Sequence, residues 1–215
     1  TMKNFILLLI TIFLTSCETA VVEEVATNGE PDGPHTSAEW KIWAYSTAAP
    51  SFIAAECTVV DTDGTVLREG TNGWTAMAAN PNGAPSDLEN GWKDPHEAMP
   101  MVGDAASFAW LQGFMAGTVP DVELDGWAWM LHGDLGEDNR MYLVIDEEGI
   151  AKAKADGQWI ESGAHLMLFP ADPSTLDGQT TNFNTGAPYV MYAGTKYAHL
   201  MIPVEGYYDY QAPVK

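Results

Sequence analysis

The chain has 215 residues, of which 30 are acidic and nine are basic, so its formal net charge at pH 7 is −21. A phosphate backbone would repel such a surface, which argues against nucleic-acid binding through a basic patch. With 46% hydrophobic residues and eight tryptophans, the chain can build one sizeable core without disulfide bonds.

The first 16 residues have the features of an export signal. Lys3 supplies a basic start, residues 5–14 form an apolar stretch, and small residues precede Cys17. The apolar stretch is too short to span a bilayer, which takes roughly 20 residues of helix. Residues 13–17 match the cleavage site of bacterial lipoproteins, with an ordinary secretory signal as the alternative. We therefore expect residues 1–16 to be removed and Cys17 to be lipidated.

The lipid on Cys17 would attach the protein to the cell envelope. Glu18 stands where an aspartate would retain a lipoprotein at the inner membrane, so we expect attachment to the outer membrane, facing the periplasm. Residues 17–38 are acidic and punctuated by Gly and Pro, which predicts a flexible tether. Residues 39–215 then form a single globular domain. Because a lipidated Cys17 leaves Cys57 without an intrachain partner, Cys57 is predicted to be a buried thiol.

The first half of the domain mixes strands, short helices and a long loop. Residues 40–45 alternate apolar and polar side chains and predict a strand, and Pro50 begins a short helical segment that extends to Cys57. Residues 58–69 predict a β-hairpin, because Asp63-Gly64 supplies a turn between two β-branched runs. Residues 72–100 are rich in Gly, Pro, Asn and Asp and predict a long ordered loop of a kind that often carries function.

A longer helix is expected after this loop. Asp104 is placed to cap a helix that runs to about residue 116 and that Gly117 and Pro120 bring to an end. Its predicted buried stripe, at three- and four-residue steps, consists of Ala105, Phe108, Leu111 and Met115.

Strands predominate in the second half. Residues 127–132, 140–145 and 164–169 each predict a strand, and residues 189–193 predict a tight hairpin with residues 196–203. Strands outnumber helices, and no alternation of strands with long helices is present. The fold class predicted is therefore α+β, with a mostly antiparallel sheet, hairpins and one or two packed helices.

The tetrad Ala-His-Leu-Met occurs twice, at residues 164–167 and 198–201. Because side chains alternate across a strand, His165 shares a face with Met167, and His199 with Met201. If the two strands are neighbours, these four donors converge, and imidazole with thioether suits copper. Additional ligands would come from the long loop, from His96, Met99 and Met101. The alternative is that the histidines are hydrogen-bonded in the core and the methionines fill gaps.

A second group of candidates lies in and beside the long loop. Residues 94–97 and Asp104 supply carboxylates and the imidazole of His96, a set that suits a divalent ion or acid–base chemistry, although Asp104 already has a role as a helix cap. Arg68, Asn72 and Trp74 suit a small polar ligand, but a buried arginine beside a turn would produce the same pattern. Nucleophile-elbow and phosphate-loop motifs are missing, which argues against a standard hydrolase or nucleotide-binding role. Whether the protein is an enzyme stays open.

Two segments carry a family resemblance: VLREGTNGWT at residues 66–75 and PYVMYAGTKYAHLM at residues 188–201. The chain resembles a family of uncharacterised secreted bacterial proteins over most of its globular domain. The resemblance implies no activity, substrate or cofactor. It does imply that relatives carry cysteines at the positions of Ala76 and Val102, so the α-carbons of these two residues are expected within roughly 7 Å, the reach of a disulfide.

The sequence therefore favours a binding module that takes a small ligand or an envelope partner, with the membrane as a further partner through the lipid on Cys17. Its cofactor is unknown. The candidate ligand-binding residues are Arg68, Asn72, Trp74, Asp104, His165 and His199. The alternative is a copper-handling protein or a metal-dependent hydrolase. Its candidate metal ligands are His96, His165, Met167, His199 and Met201, with Asp104 added in the hydrolase version. A structural envelope role without a pocket is the third possibility.

Overall fold

A computed structural model describes residues 29–210 of the chain. These residues form five α-helices, α1 Ala38–Ser46, α2 Ser51–Ala54, α3 Pro95–Ala98, α4 Ala105–Met115 and α5 Glu147–Ala155, and a 3-10 helix at Pro173–Leu176. The strands are β1 Thr58–Val60, β2 Val66–Arg68, β3 Thr75–Ala78, β4 Pro100–Gly103, β5 Gly126–Met130, β6 Glu137–Asp138, β7 Trp159–Ile160, β8 His165–Phe169, β9 Tyr189–Met191 and β10 His199–Pro203.

Eight of these strands form one sheet in the order β2-β1-β3-β4-β5-β8-β10-β9, and β6 and β7 form a small second sheet. Within the large sheet every neighbouring pair is antiparallel except β1 and β3, which are parallel. The predicted α+β class with a mostly antiparallel sheet is confirmed.

The two faces of the large sheet carry separate cores. Helix α1 covers one face at the β1-β3-β4 end, where Trp40 and Tyr45 pack with Val59 and Val102. Helix α4 lies over β4, β5 and β8 on the opposite face, where Trp110 and other aromatic side chains pack with a group of methionines. Because side chains alternate along a strand, β4 and β5 contribute to both cores.

Small residues let α4 approach the sheet closely. A Cβ on Gly126 would lie 2.4 Å from the backbone nitrogen of Ser107, so a larger residue at this position of β5 would push the helix away. Asp104 fixes the same end of the helix: one carboxylate oxygen accepts from Ser107 N at 2.8 Å and the other from Trp127 N at 3.0 Å. The helix is therefore anchored over β4 and β5, and the neighbouring strands extend beyond it.

Several predicted elements are confirmed. The hairpin around Asp63-Gly64 is β1 paired with β2, the helix capped by Asp104 is α4, and the strands predicted at 127–132 and 164–169 are β5 and β8. The strands with the two His-Leu-Met tetrads, β8 and β10, are direct neighbours. The last hairpin pairs as expected, but its connection is longer than two residues because the strands end at Met191 and begin again at His199.

Three local predictions are wrong. Residues 40–45 form most of helix α1, because the Ser37 hydroxyl accepts from Trp40 N at 3.2 Å and the helical period buries Trp40 and Ala44 together. Residues 140–145 are not a strand, since Leu143 has a left-handed φ of 56°. The predicted long loop 72–100 contains β3 and α3, and the helix α5 was not expected at all.

The buried face of α4 also differs from the predicted stripe. Its buried residues are Ser107, Trp110, Gly113 and Phe114, whereas Ala105 is exposed and Met115 is 55% exposed. The predicted face was wrong because the backbone at Ser107 packs directly against Gly126, and Trp110 and Phe114 follow Ser107 on the same face at three- and four-residue steps. Phe108 and Leu111 still pack at the margin of the core.

The described part of the predicted tether belongs to the domain surface. Glu30 accepts a hydrogen bond from the indole of Trp40 at 2.7 Å, and the ring of His35 stacks on Trp40 with centroids 4.2 Å apart. The predicted signal and lipidation site at Cys17 lie outside the described residues. Within residues 29–210, no helix has both the length and the apolar character needed to cross a membrane.

Ala76 and Val102 are directly opposite each other on β3 and β4, and both are fully buried. Ala79 N donates to Met99 O in the same ladder, so alternation makes Ala76 and Val102 a non-hydrogen-bonded pair, for which the α-carbon separation is about 4.5 Å. The geometric expectation for these two positions is therefore confirmed. The family resemblance from which it came stays a prediction.

Candidate functional site

A cavity of about 90 Å³ lies between α4 and the sheet. Seven of the ten methionines of the chain line it: Met99, Met101, Met115, Met130, Met167, Met191 and Met201. Trp110, Phe114 and Phe169 complete its apolar wall, and His165 and His199 are its imidazoles. Because the exposed Pro81 and Met115 also line it, the cavity reaches the protein surface.

Strand register explains why these side chains meet. Met167 on β8 lies opposite Met201 on β10. Val204 N donates to Ala164 O in the same ladder, so this methionine pair is non-hydrogen-bonded, the arrangement in which opposite side chains approach most closely. His165 precedes Met167 by two residues and therefore lies on the same face.

The neighbouring strands add a methionine beside each histidine. Met130 on β5 lies opposite His165, and Met191 on β9 lies opposite His199. The face therefore presents imidazole and thioether groups in adjacent positions across four strands.

Both histidines are oriented by the backbone in the same way. His165 Nδ1 lies 2.7 Å from Gly163 O, and His199 Nδ1 lies 3.0 Å from Tyr197 O. A carbonyl can only accept, so in each ring Nδ1 carries the proton and Nε2 keeps a free lone pair. Burial lowers the pKa of each imidazole to about 4, so both are neutral at pH 7.

Two polar atoms on the cavity wall have no hydrogen-bond partner among residues 29–210. They are Nε2 of His165, an acceptor, and Nε1 of Trp110, a donor. His165 is fully buried and Trp110 is 4% exposed. An unsatisfied buried polar group costs about 1–3 kcal/mol, so both atoms favour an occupant that supplies the missing bonds.

An acidic pair, Asp134 and Glu137, also lines the cavity. Asp134 is 3% exposed, and its carboxylate accepts from Ser162 N and Gly136 N, each at 3.0 Å. Burial, and then the neighbouring carboxyl of Glu137, raise the pKa of Asp134 well above its ordinary value. Burial also raises the pKa of Glu137, although the hydroxyl of Tyr192 donates to it. Burial thus favours the neutral form of each carboxyl.

The structure assembles part of the predicted site. His165, Met167, His199 and Met201 all line the cavity, together with Met99 and Met101 from the predicted loop. The two imidazoles do not converge as predicted: His199 lies opposite Phe169, four residues along β8 from His165, a span of about 13 Å. The two histidines therefore flank the Met167–Met201 pair on opposite sides, each two residues from one of the methionines.

The predicted residues around the first hairpin have structural partners instead. The guanidinium of Arg68 donates to Ala54 O at 2.5 Å and to Cys57 O at 3.0 Å, and so closes the end of α2. The side chain of Asn72 donates to Ile53 O at 2.9 Å and accepts from Trp74 N at 3.0 Å. These three predicted ligand-binding residues stand apart from the cavity.

His96 and Asp104 also lie outside the cavity. His96 Nδ1 is 2.7 Å from His132 O, and its ring stacks on Tyr210 with centroids 3.9 Å apart. Asp104 is occupied as the cap of α4. Among residues 29–210, no three His, Cys, Asp or Glu side chains are grouped so that they could hold a metal ion. The geometry thus does not assemble the metal-ligand set of the predicted hydrolase.

Sequence reasoning missed several wall residues. Met130 and Met191 are brought beside His165 and His199 by the strand register, and Trp110 comes from α4, where its ring lies 5.3 Å from that of His199. Asp134 and Glu137 lie in a segment rich in Gly, Asp and Glu, a composition that is typical of an exposed turn and does not indicate a cavity wall. The buried thiol of Cys57, by contrast, is confirmed: it is fully buried and unpaired, and burial raises its pKa.

No family model, no curated protein and no solved structure matches the chain. The functional argument therefore rests on the geometry of the cavity.

Proposed function

We propose that this chain is a small-ligand-binding module and that the methionine-lined cavity is its binding site. The observation that carries the proposal is the pair of unsatisfied, buried polar atoms on the cavity wall, His165 Nε2 and Trp110 Nε1. Binding sites combine an apolar wall with a few polar groups, and the wall of this cavity contains both kinds of side chain.

The chemistry of the wall defines the ligand. A hydroxyl both donates and accepts, so a ligand hydroxyl could donate to His165 Nε2 or accept from Trp110 Nε1. The rest of the ligand contacts thioethers and aromatic rings, so it is small and largely apolar. Methionine side chains are flexible and polarizable, which lets the wall adapt to the shape of its occupant.

The location of the module is part of the proposal. The predicted lipid on Cys17 would hold the domain at the cell envelope, where a net charge of −21 keeps its surface well hydrated. Intact-mass analysis of the product from its native host tests this: a diacylated or triacylated chain that begins at Cys17 supports it. A chain that retains residues 1–16, or begins at Cys17 without acyl groups, contradicts it.

The binding function is tested by NMR of the full chain labelled with ¹³C at the methionine methyl groups. The probes are 2-propanol, which has a hydroxyl, and xenon, which occupies apolar cavities without hydrogen bonds. We expect both probes to shift the signals of the lining methionines, while those of Met77 and Met141, which are not part of the wall, stay unchanged. The indole N–H of Trp110 should respond to 2-propanol alone.

A matched pair of variants tests whether the NMR responses arise from binding in the cavity or from binding elsewhere on the surface. Leu111→Trp adds bulk to a half-buried wall residue and should abolish both responses, whereas Leu124→Trp, at a residue that is 74% exposed and outside the wall, should preserve them. Equal shifts at Met141 and at the wall, or full responses in Leu111→Trp, would contradict the proposal.

A further inference from the structure

We propose that the cavity binds one copper(I) ion through Nε2 of His165 and the thioether sulfurs of Met167 and Met201. The inference rests on the proposed binding function and names the class of its ligand: a soft monovalent cation. Nothing in this proposal requires a redox step, since copper enters and leaves as copper(I).

The three donors are neighbours by register. Met167 and Met201 form a non-hydrogen-bonded cross-strand pair, and His165 is the next residue of β8 on the same face. All three are at most 6% exposed and line the same cavity. A two-sulfur, one-nitrogen set of this kind matches the low coordination number that copper(I) accepts.

His165 is held as metal-ligating histidines are held. Such a histidine usually donates its other ring N–H to a carbonyl or carboxylate, which fixes the tautomer and aims the free nitrogen at the metal. Here Nδ1 donates to Gly163 O at 2.7 Å, and the opposite nitrogen has no partner among the described residues. A fully buried, unpartnered acceptor on a residue that lines a methionine-rich cavity is an independent indication of a ligand.

The donor set selects the ion. Thioether ligands favour copper(I), whereas calcium and magnesium require oxygen ligands and zinc prefers thiolate, imidazole and carboxylate. Within residues 29–210, the cavity does not contain three such groups in one cluster. The carboxyls of Asp134 and Glu137 line the same cavity as the three proposed ligands.

The test is an anaerobic titration of the full chain with copper(I) against bicinchoninate, a coloured copper(I) chelator. We expect the chain to withdraw one equivalent of copper from the chelator. Met167→Leu/Met201→Leu and His165→Gln should each weaken copper(I) binding by more than about 100-fold, since even outer-shell changes cost 10–100-fold. Leucine conserves the shape of methionine well enough for the core to fold.

Matched controls exclude other soft donors. Met77→Leu/Met141→Leu makes the same chemical change outside the cavity wall and should bind copper like the unmodified chain. Cys17→Ser and Cys57→Ser remove the two thiols of the chain and should also retain one equivalent. Loss of copper in a thiol variant, or undiminished binding in the cavity variants, would overturn the assignment.

The two proposals fail separately. If 2-propanol and xenon enter the cavity but the chain withdraws no copper, the copper inference is wrong and the binding function stands. If neither probe enters and copper is not withdrawn, both are wrong. Circular dichroism of each variant confirms that it is folded before either result is interpreted.

Discussion

A disulfide between positions 76 and 102 should form without distortion and should stabilise the domain. The perturbation is the double variant Ala76→Cys/Val102→Cys. The two residues are an opposed, non-hydrogen-bonded pair on antiparallel strands, so their α-carbons are about 4.5 Å apart, within the 4.4–6.8 Å that disulfides span. Both positions are fully buried, which also protects the bond from exchange.

The magnitude follows from the length of the closed loop. A cross-link that encloses about 27 residues reduces the entropy of the unfolded chain by an amount worth about 3.5 kcal/mol at 25 °C. For a domain of this size, that corresponds to an increase in Tm of roughly 7–14 °C. Replacing Val102 removes buried methyl groups, so the reduced form of the variant should be less stable than the original chain by about 1 kcal/mol.

The assay compares the oxidised and reduced forms of the same variant by thermal and urea unfolding. Each form is the matched control of the other, because the two differ by the bond alone. Peptide mapping must show that the two introduced cysteines are paired with each other and that Cys57 stays free. A variant that remains reduced in air, or that pairs one of its new cysteines with Cys57, would refute the register of β3 and β4.

Two further predictions concern single side chains. Asp104→Ala removes the carboxylate that accepts from both Ser107 N and Trp127 N and should lower the free energy of unfolding by about 2 kcal/mol in urea titrations, whereas Asp104→Asn should lose less than half of that. Burial lowers the pKa of His132 to about 4, so between pH 6.5 and 4 the unfolded chain binds a proton that the folded chain does not, and stability falls as pH falls. Unfolding at pH 7 and pH 5 should show His132→Gln to be less acid-sensitive than the unmodified chain by roughly 2 kcal/mol, and equal acid sensitivity would contradict this.

The sequence predicted correctly those elements that depend on a few adjacent residues, such as turns and helix caps. Asp63-Gly64 marks a turn, and Asp104 caps a helix whichever face that helix buries. The face itself was beyond prediction, because it depends on Gly126, a residue of a strand that follows α4 in the chain but lies beneath it in the fold. Tertiary packing also determined that residues 40–45 are helical, because their short apolar pattern fits a strand and a helix equally well.

The candidate site was predicted in part for the same reason. The repeated tetrad located His165, Met167, His199 and Met201 on paired strands, since alternation along a strand is a local property. The separation of the two histidines could not be read from spacing, because register is set by pairing across the sheet. The partners of His96 likewise come from elements distant in the chain.

The most direct test of the central claim is a crystal structure of the full chain after anaerobic exposure to copper(I), with anomalous data collected on both sides of the copper absorption edge. The account predicts a single copper peak in the cavity, bonded to His165 Nε2 and to the sulfurs of Met167 and Met201. An empty cavity, or a copper peak at Cys57 or His96 instead, would contradict it.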